Sequence, residues 1–272
     1  RPLASRRATM RKSEALRVVW WVMVVIAAVG VASSVLTFRE MQNPLLILPI
    51  TAEAVVGASV ARQRPRNPMG WIFLGIGALA GLLSLAVATT SLATRLPDGF
   101  PWWGLTAAWV TSWAWYPLVF LLTTLTLLMF PSGLQSSRWR PVLWLSTLSV
   151  VGITTLSALV PAIGVEFSSA GEVTRSVANP LSPTFMASVP SVEDSRAGGF
   201  FGLLFLAGFL ASVLSSALRV KRSRGAEREQ MRWFGFAVVL IAVLVAVEAT
   251  LGRDLPPIVM SLAEALVLSF FV

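Results

Sequence analysis

The stretch VVGASVARQRPRNPMGWIFLGIG, Val55–Gly77, places Arg62, Arg64 and Arg66, with Pro65, Asn67 and Pro68, between two apolar runs. The runs extend over Leu45–Ala61 on one side and Trp71–Ala93 on the other. A pair of water-exposed helices would carry polar residues at helical spacing on one face, and these runs do not. They read as two membrane helices joined by a tight turn at the membrane surface. The arginines hold the turn on one side of the bilayer, and Pro65 and Pro68 stop helix from running through it. Trp71 sits at headgroup level, as interfacial tryptophans do.

Working outward, the composition agrees. The chain has 272 residues, 56% hydrophobic and 13% charged, where soluble domains carry about 25% charged residues. The apolar segments are long and do not alternate with period two, which excludes a transmembrane barrel. The fold class expected is all-α, a polytopic integral membrane protein of about eight transmembrane helices with both termini cytoplasmic. A crossing takes about 20 apolar residues. The runs that supply them are Val18–Phe38, Leu45–Ala61, Trp71–Ala93, Trp103–Phe130, Val142–Val165, Phe200–Leu218, Trp233–Leu251 and Ile258–Val272. Residues 1–17 then form a cytoplasmic basic segment, 18–272 the transmembrane domain, and 166–199 an external loop with a short interfacial helix around Thr184–Ala187. The first run exceeds the usual 7–15 residues of a signal sequence, so it reads as a retained anchor.

The basic residues sort by side. Seventeen lie in the amino-terminal segment and in the loops carrying Arg62, Arg64 and Arg66, Arg138 and Arg140, and Arg219–Arg232; five lie on the other side. The excess of arginine and lysine assigns the rich side to the cytoplasm, here of a bacterial cytoplasmic membrane. The net charge of +9 is therefore read as attraction to anionic lipid headgroups, not to nucleic acid. Arg222, Arg224, Arg228 and Arg232 form the densest basic run and resemble a short helical extension of the preceding span.

Three carboxylates fall inside expected spans: Glu53, Glu248 and Glu264. A charge at the bilayer centre costs at least about 2.5–3.5 kcal/mol on insertion scales, so each is a candidate site. Glu53 lies mid-span, and Pro49 and Gly57 on the same helix suggest a broken helix lining a small site. The other reading is a carboxyl hydrogen-bonded to a neighbouring helix. Trp109, Trp113, Tyr116 and Phe120 recur at i, i+4, i+7 and i+11 and share one face of the fourth span, which reads either as a ligand-binding face or as packing. Pro117 is expected to kink that helix.

The chain has no His and no Cys. A Ser-His-Asp triad, a Cys nucleophile and a His-based metal site are excluded, and no nucleotide-binding glycine motif is found. No metal or cofactor is expected. A membrane enzyme built on acids and arginines alone has no visible constellation.

Three loops carry a family resemblance. RPRNPMGW (Arg64–Trp71), FPSGLQSSRWRPVLW (Phe130–Trp144) and RSRGAEREQMRWF (Arg222–Phe234) resemble, in order and spacing, the loops of the multi-span amino-terminal membrane region of bacterial sensor histidine kinases. In that family the second loop reads more like Phe-Pro-Asp-Gly-Arg-Leu-Pro-Ser; Ser132, Leu134, Gln135 and Ser136 depart from it. The resemblance implies a two-component signal-input region followed by a cytoplasmic kinase or other output domain beyond the eighth span. The first residue, Arg1, and the short last span suggest a fragment cut before that domain. Without a His or an ATP-binding motif this polypeptide is not itself the autokinase. Its expected partners are the lipid bilayer, a second copy of the chain in a homodimer, and an unidentified small ligand. The alternative is a small-solute transporter or permease using the intramembrane glutamates.

Overall fold

The computed structural model of the chain describes residues 2–36, 47–96, 99–167, 173–189, 191–192, 195–225, 228–232 and 234–236. Helix α1 runs unbroken over Pro2–Leu36. The change from basic to apolar sequence at 17–18 therefore falls inside a helix. Helices α2 (Ile47–Gln63) and α3 (Pro68–Thr94) form the hairpin expected around the arginine turn. Pro49 lies in the first turn of α2, where the missing N–H has no acceptor to lose; α2 is continuous, not broken as expected from Pro49 and Gly57.

The turn is built by its own residues. The Asn67 side chain accepts a hydrogen bond from the Met69 N–H at 3.0 Å, and Pro68 opens α3 with its φ already helical. Pro68 thus starts a helix, where the sequence reading had both prolines only stopping one. The Trp71 indole N–H donates to the Pro65 carbonyl at 3.0 Å and fixes the ring against the turn.

The α2–α3 contact is backbone against backbone. Gly57 faces the backbone of Leu74, and a Cβ placed on Gly77 would lie 2.5 Å from Ala54 Cβ. Small residues allow this approach where no hydrophobic force drives two helices together in lipid. Helix α1 lies along α3 on another face, with Gly30 against Gly81. In α3, 61% of its apolar window is buried against 11% in α1, which makes α3 the central helix.

Helix α4 spans Trp102–Met129. It contains Pro117 and, directly beyond it, a π-helical turn over Leu121–Leu125. A proline removes one i→i−4 bond on its N-terminal side; at the π turn the Thr126 hydroxyl donates to the Leu121 carbonyl five residues back, at 2.7 Å. Helix α5 (Arg140–Leu159) follows a 3₁₀ turn at Ser137–Trp139. It ends before Val160–Val165, which the sequence reading had kept in the span. Pro161 forces Val160 out of helical conformation, with ψ 145°, and the chain enters strand β1 (Ala162–Phe167), paired antiparallel with β2 (Val173–Ala178). The fold is therefore that of the expected helical membrane protein, with one two-stranded β-hairpin added beyond α5. The short helix expected near Thr184–Ala187 is a 3₁₀ turn at Thr184–Met186.

Helix α6 (Arg196–Arg222) is capped by Ser195, whose hydroxyl accepts from the Gly198 N–H at 2.8 Å. Its pattern is the inverse of a soluble helix. Gly208, Ser212, Ser215, Ser216 and Arg219 are buried, while Leu203, Leu206, Leu210 and Leu214 are exposed. Polar and small groups facing inward, with leucines facing outward, suit a lipid surround.

Among the described residues, five helices are long and apolar enough to cross a membrane: Glu14–Ser33 within α1, α3, α4, Ser137–Leu159 and α6. The chain is thus a helical membrane protein. Helix α2, with 17 described residues, is about 26 Å long, at the lower end of the lengths that cross a bilayer, and is not among the five. The expected spans Trp233–Leu251 and Ile258–Val272, with Glu248 and Glu264, lie outside the described residues.

Candidate functional site: a junction of three basic loops

Successive helices α2 to α6 run antiparallel. The arginine turn, the α4–α5 loop and the end of α6 consequently share one end of the bundle, and the β-hairpin shares the other end with the α3–α4 turn. At the hairpin end, Arg175 donates to the Thr94 carbonyl at 3.5 Å. The buried Asn179 side-chain amide donates to the carbonyls of Ala158 and Val160, at 3.0 and 2.7 Å, at the close of α5 where helix carbonyls lack intrahelical partners.

At the basic end the three loops meet. A Cβ on Gly133, which holds φ +112°, would touch Pro68 Cγ at 3.7 Å. Arg219, only 5% exposed, reaches across from α6 and donates to the carbonyls of Phe130 and Gly133, the second at 2.6 Å. Those carbonyls lie just past the end of α4, where the helix dipole concentrates negative partial charge, so a guanidinium is favoured there. One turn earlier, the Ser216 hydroxyl donates to the Leu127 carbonyl at 2.6 Å.

Phe130 joins two apolar clusters. On one side it packs with the group around Met69, Ile72 and Ile76 of α3; on the other, with Leu127, Met231 and Phe234. Its ring stacks on Phe234 with centroids 4.3 Å apart and planes 12° from parallel. Contacts therefore run from α3 through Phe130 to the short helical segment at 228–232 and its continuation at 234–236. Comparison with protein-family models, curated proteins and solved structures gives no match.

The predicted basic residues Arg62, Arg64, Arg66, Arg138, Arg140, Arg222, Arg224, Arg228 and Arg232 are all exposed. Arg232 pairs with Glu229 at 3.2 Å. Arg219, buried at the centre of the junction, was counted in the sequence only as one more positive charge. Its signal was available: Ser212, Ser215, Ser216 and Arg219 follow i, i+3, i+4, i+7, a polar stripe along an apolar helix.

Glu53 is 2% exposed, and its Oε1 has no hydrogen-bond partner among the described residues. Of the aromatic stripe, Trp109 and Trp113 pack edge to face at 5.4 Å, and the Trp109 indole donates to the Ala158 carbonyl of α5 at 2.8 Å. Phe120 is buried. Tyr116 stacks on Trp115, which is off the stripe, at 4.0 Å. The stripe is thus divided between helix packing and a separate ring pair. Among the described residues no group of three or more His, Cys, Asp or Glu side chains is placed to hold a metal ion.

Proposed function

We propose that the chain is the membrane-embedded input region of a bacterial two-component signalling protein. In this reading it is seated in the cytoplasmic membrane with eight spans, and its arginine-rich end and both termini face the cytoplasm. The observation that carries the reading is the meeting of the three loops that resemble sensor-kinase loops, with Phe130 shared between the α3 cluster and the segment that follows α6. A stimulus that favours one packing of the spans over another shifts α3 against α4. Phe130 passes that shift to Phe234 and so to the output side of the chain.

Two measurements test it. The coding sequence beyond Val272 is expected to encode a cytoplasmic signalling domain, and a gene without one removes the proposal. In membrane vesicles holding the full-length parent, Phe130→Ala is expected to change autophosphorylation at least about twofold, the lower end of coupling changes of about 0.5–2 kcal/mol. Unchanged output at equal protein level counts against it.

A small-solute transporter is the second reading, and the buried Glu53 with an unpartnered oxygen favours it. Proteoliposome flux abolished by Glu53→Gln would select it over the signalling role.

A further inference from the structure

A groove of about 540 Å³ opens between α1, α2 and α3 beside the arginine turn. This is within the size range of small-molecule sites, about 300–1,000 Å³. Arg17 and Arg62 stand on its rim, and Trp20, Trp21, Trp71 and Leu16 form its walls. We propose that the groove is a specific site for one anionic glycerophospholipid, with the phosphate between the two guanidinium groups and the glycerol and acyl roots against the tryptophans. The inference rests on the membrane fold and not on the signalling role, so either can fail alone.

Three features separate this groove from a merely basic surface. Its walls are held in place before any ligand arrives: the Trp20 indole donates to the Ala58 carbonyl at 2.9 Å and the Trp71 indole to the Pro65 carbonyl at 3.0 Å. With both N–H groups occupied, the rings offer apolar faces to an occupant. The Trp21 ring stands edge-on to Trp20 at 4.7 Å and 80°, and is 55% exposed. Second, the cations are available. The Arg62 guanidinium carbon lies 6.0 Å above the Trp20 ring, at the outer limit of a cation–π contact. Neither Arg17 nor Arg62 pairs with a carboxylate among the described residues. Guanidinium groups bind phosphate oxygens through paired N–H donors. Third, the groove sits where a headgroup meets acyl chains: Arg17 and Trp20 flank the start of the apolar part of α1, and Arg62 closes α2. The cleft lined by Arg222, Arg224, Arg228 and Arg232 holds more cations and, among the described residues, no aromatic wall, so it serves as a control for charge.

The test is native mass spectrometry of the whole chain released from detergent micelles, titrated with dioleoyl phosphatidylglycerol and with dioleoyl phosphatidylcholine. The first phosphatidylglycerol is expected to bind at least about fivefold more tightly than phosphatidylcholine. Arg17→Gln with Arg62→Gln should weaken it about tenfold or more, since each surface cation is worth roughly 1 kcal/mol toward anionic lipid. Arg17→Lys with Arg62→Lys, which keeps the charge but not the paired donors, should weaken it less than the Gln pair does. Arg224→Gln with Arg228→Gln should change binding less than about twofold. Equal losses in the two Gln pairs, or equal affinity for the two lipids, overturn the proposal. Displacement by excess glycerol 3-phosphate also overturns it, because the site would then take a soluble phosphate and not a lipid.

Discussion

The α2–α3 pair and the α5–α6 pair are both antiparallel, yet they are held by different chemistry. In the first, glycines bring backbone onto backbone: Gly57 faces Leu74, Gly70 faces Ala61 and Gly77 faces Ala54. In the second, serines do the work: the Ser149 hydroxyl donates to the Phe201 carbonyl at 2.7 Å, and Ser146 packs on Gly208. A glycine seam has no slack, because any added atom meets main chain. A serine seam carries small side chains that can be trimmed without collision. The first pair is therefore expected to be brittle toward insertion and the second tolerant of deletion.

The sharpest way to break this contrast is Gly77→Leu. The new side chain would overlap Ala54 and force α2 from α3, at a cost of about 3 kcal/mol, the upper part of the usual overpacking range. Thermal unfolding in detergent should show a large loss or no folded peak, and a variant as stable as the parent would refute the seam. Arg219→Gln ranks next. It removes charge-assisted hydrogen bonds to the Phe130 and Gly133 carbonyls, each worth about 1.5–3 kcal/mol when one group is charged, with part of the loss recovered by the amide. Faster trypsin cleavage at Arg222 and Arg224 would report the loosened end of α6. Ser149→Ala sharpens the comparison from the other side. It should cost about 0.6 kcal/mol, the average for an interhelical hydrogen bond in a membrane protein, and a loss above about 2 kcal/mol would make the two seams alike. Smallest of all, Arg232→Gln deletes an exposed ion pair with Glu229, the two side chains being 68% and 60% exposed. Exposed pairs contribute about 0–1 kcal/mol, so no change in the melting midpoint is expected.

Where elements lie was legible because hydropathy and proline report it directly. The arginine turn appears where its residues require it, and α3 begins within three residues of the predicted Trp71, at Pro68. Hydropathy could not tell helix from strand at Val160–Val165, since both bury apolar side chains; Pro161 was the local signal for the break, and it was outweighed by the apolar run. At the site, exposed arginines were easy to find by counting. Arg219 was hidden by the same counting, which treats every cation in a loop alike; only the spacing of Ser212, Ser215 and Ser216 shows which face it occupies. Periodicity placed Trp109, Trp113, Tyr116 and Phe120 along one helix but could not tell which ring each meets: Trp109 meets Trp113, while Tyr116 meets its sequence neighbour Trp115.

Asn179 has a mechanical meaning beyond its hydrogen bonds. By gripping the carbonyls of Ala158 and Val160 at the close of α5 it welds the hairpin to a membrane-embedded rod, so the two must tilt together. A weight hung on β1 or β2, such as an antibody fragment or a tethered bead, would pull on α5 itself and not on a slack tether.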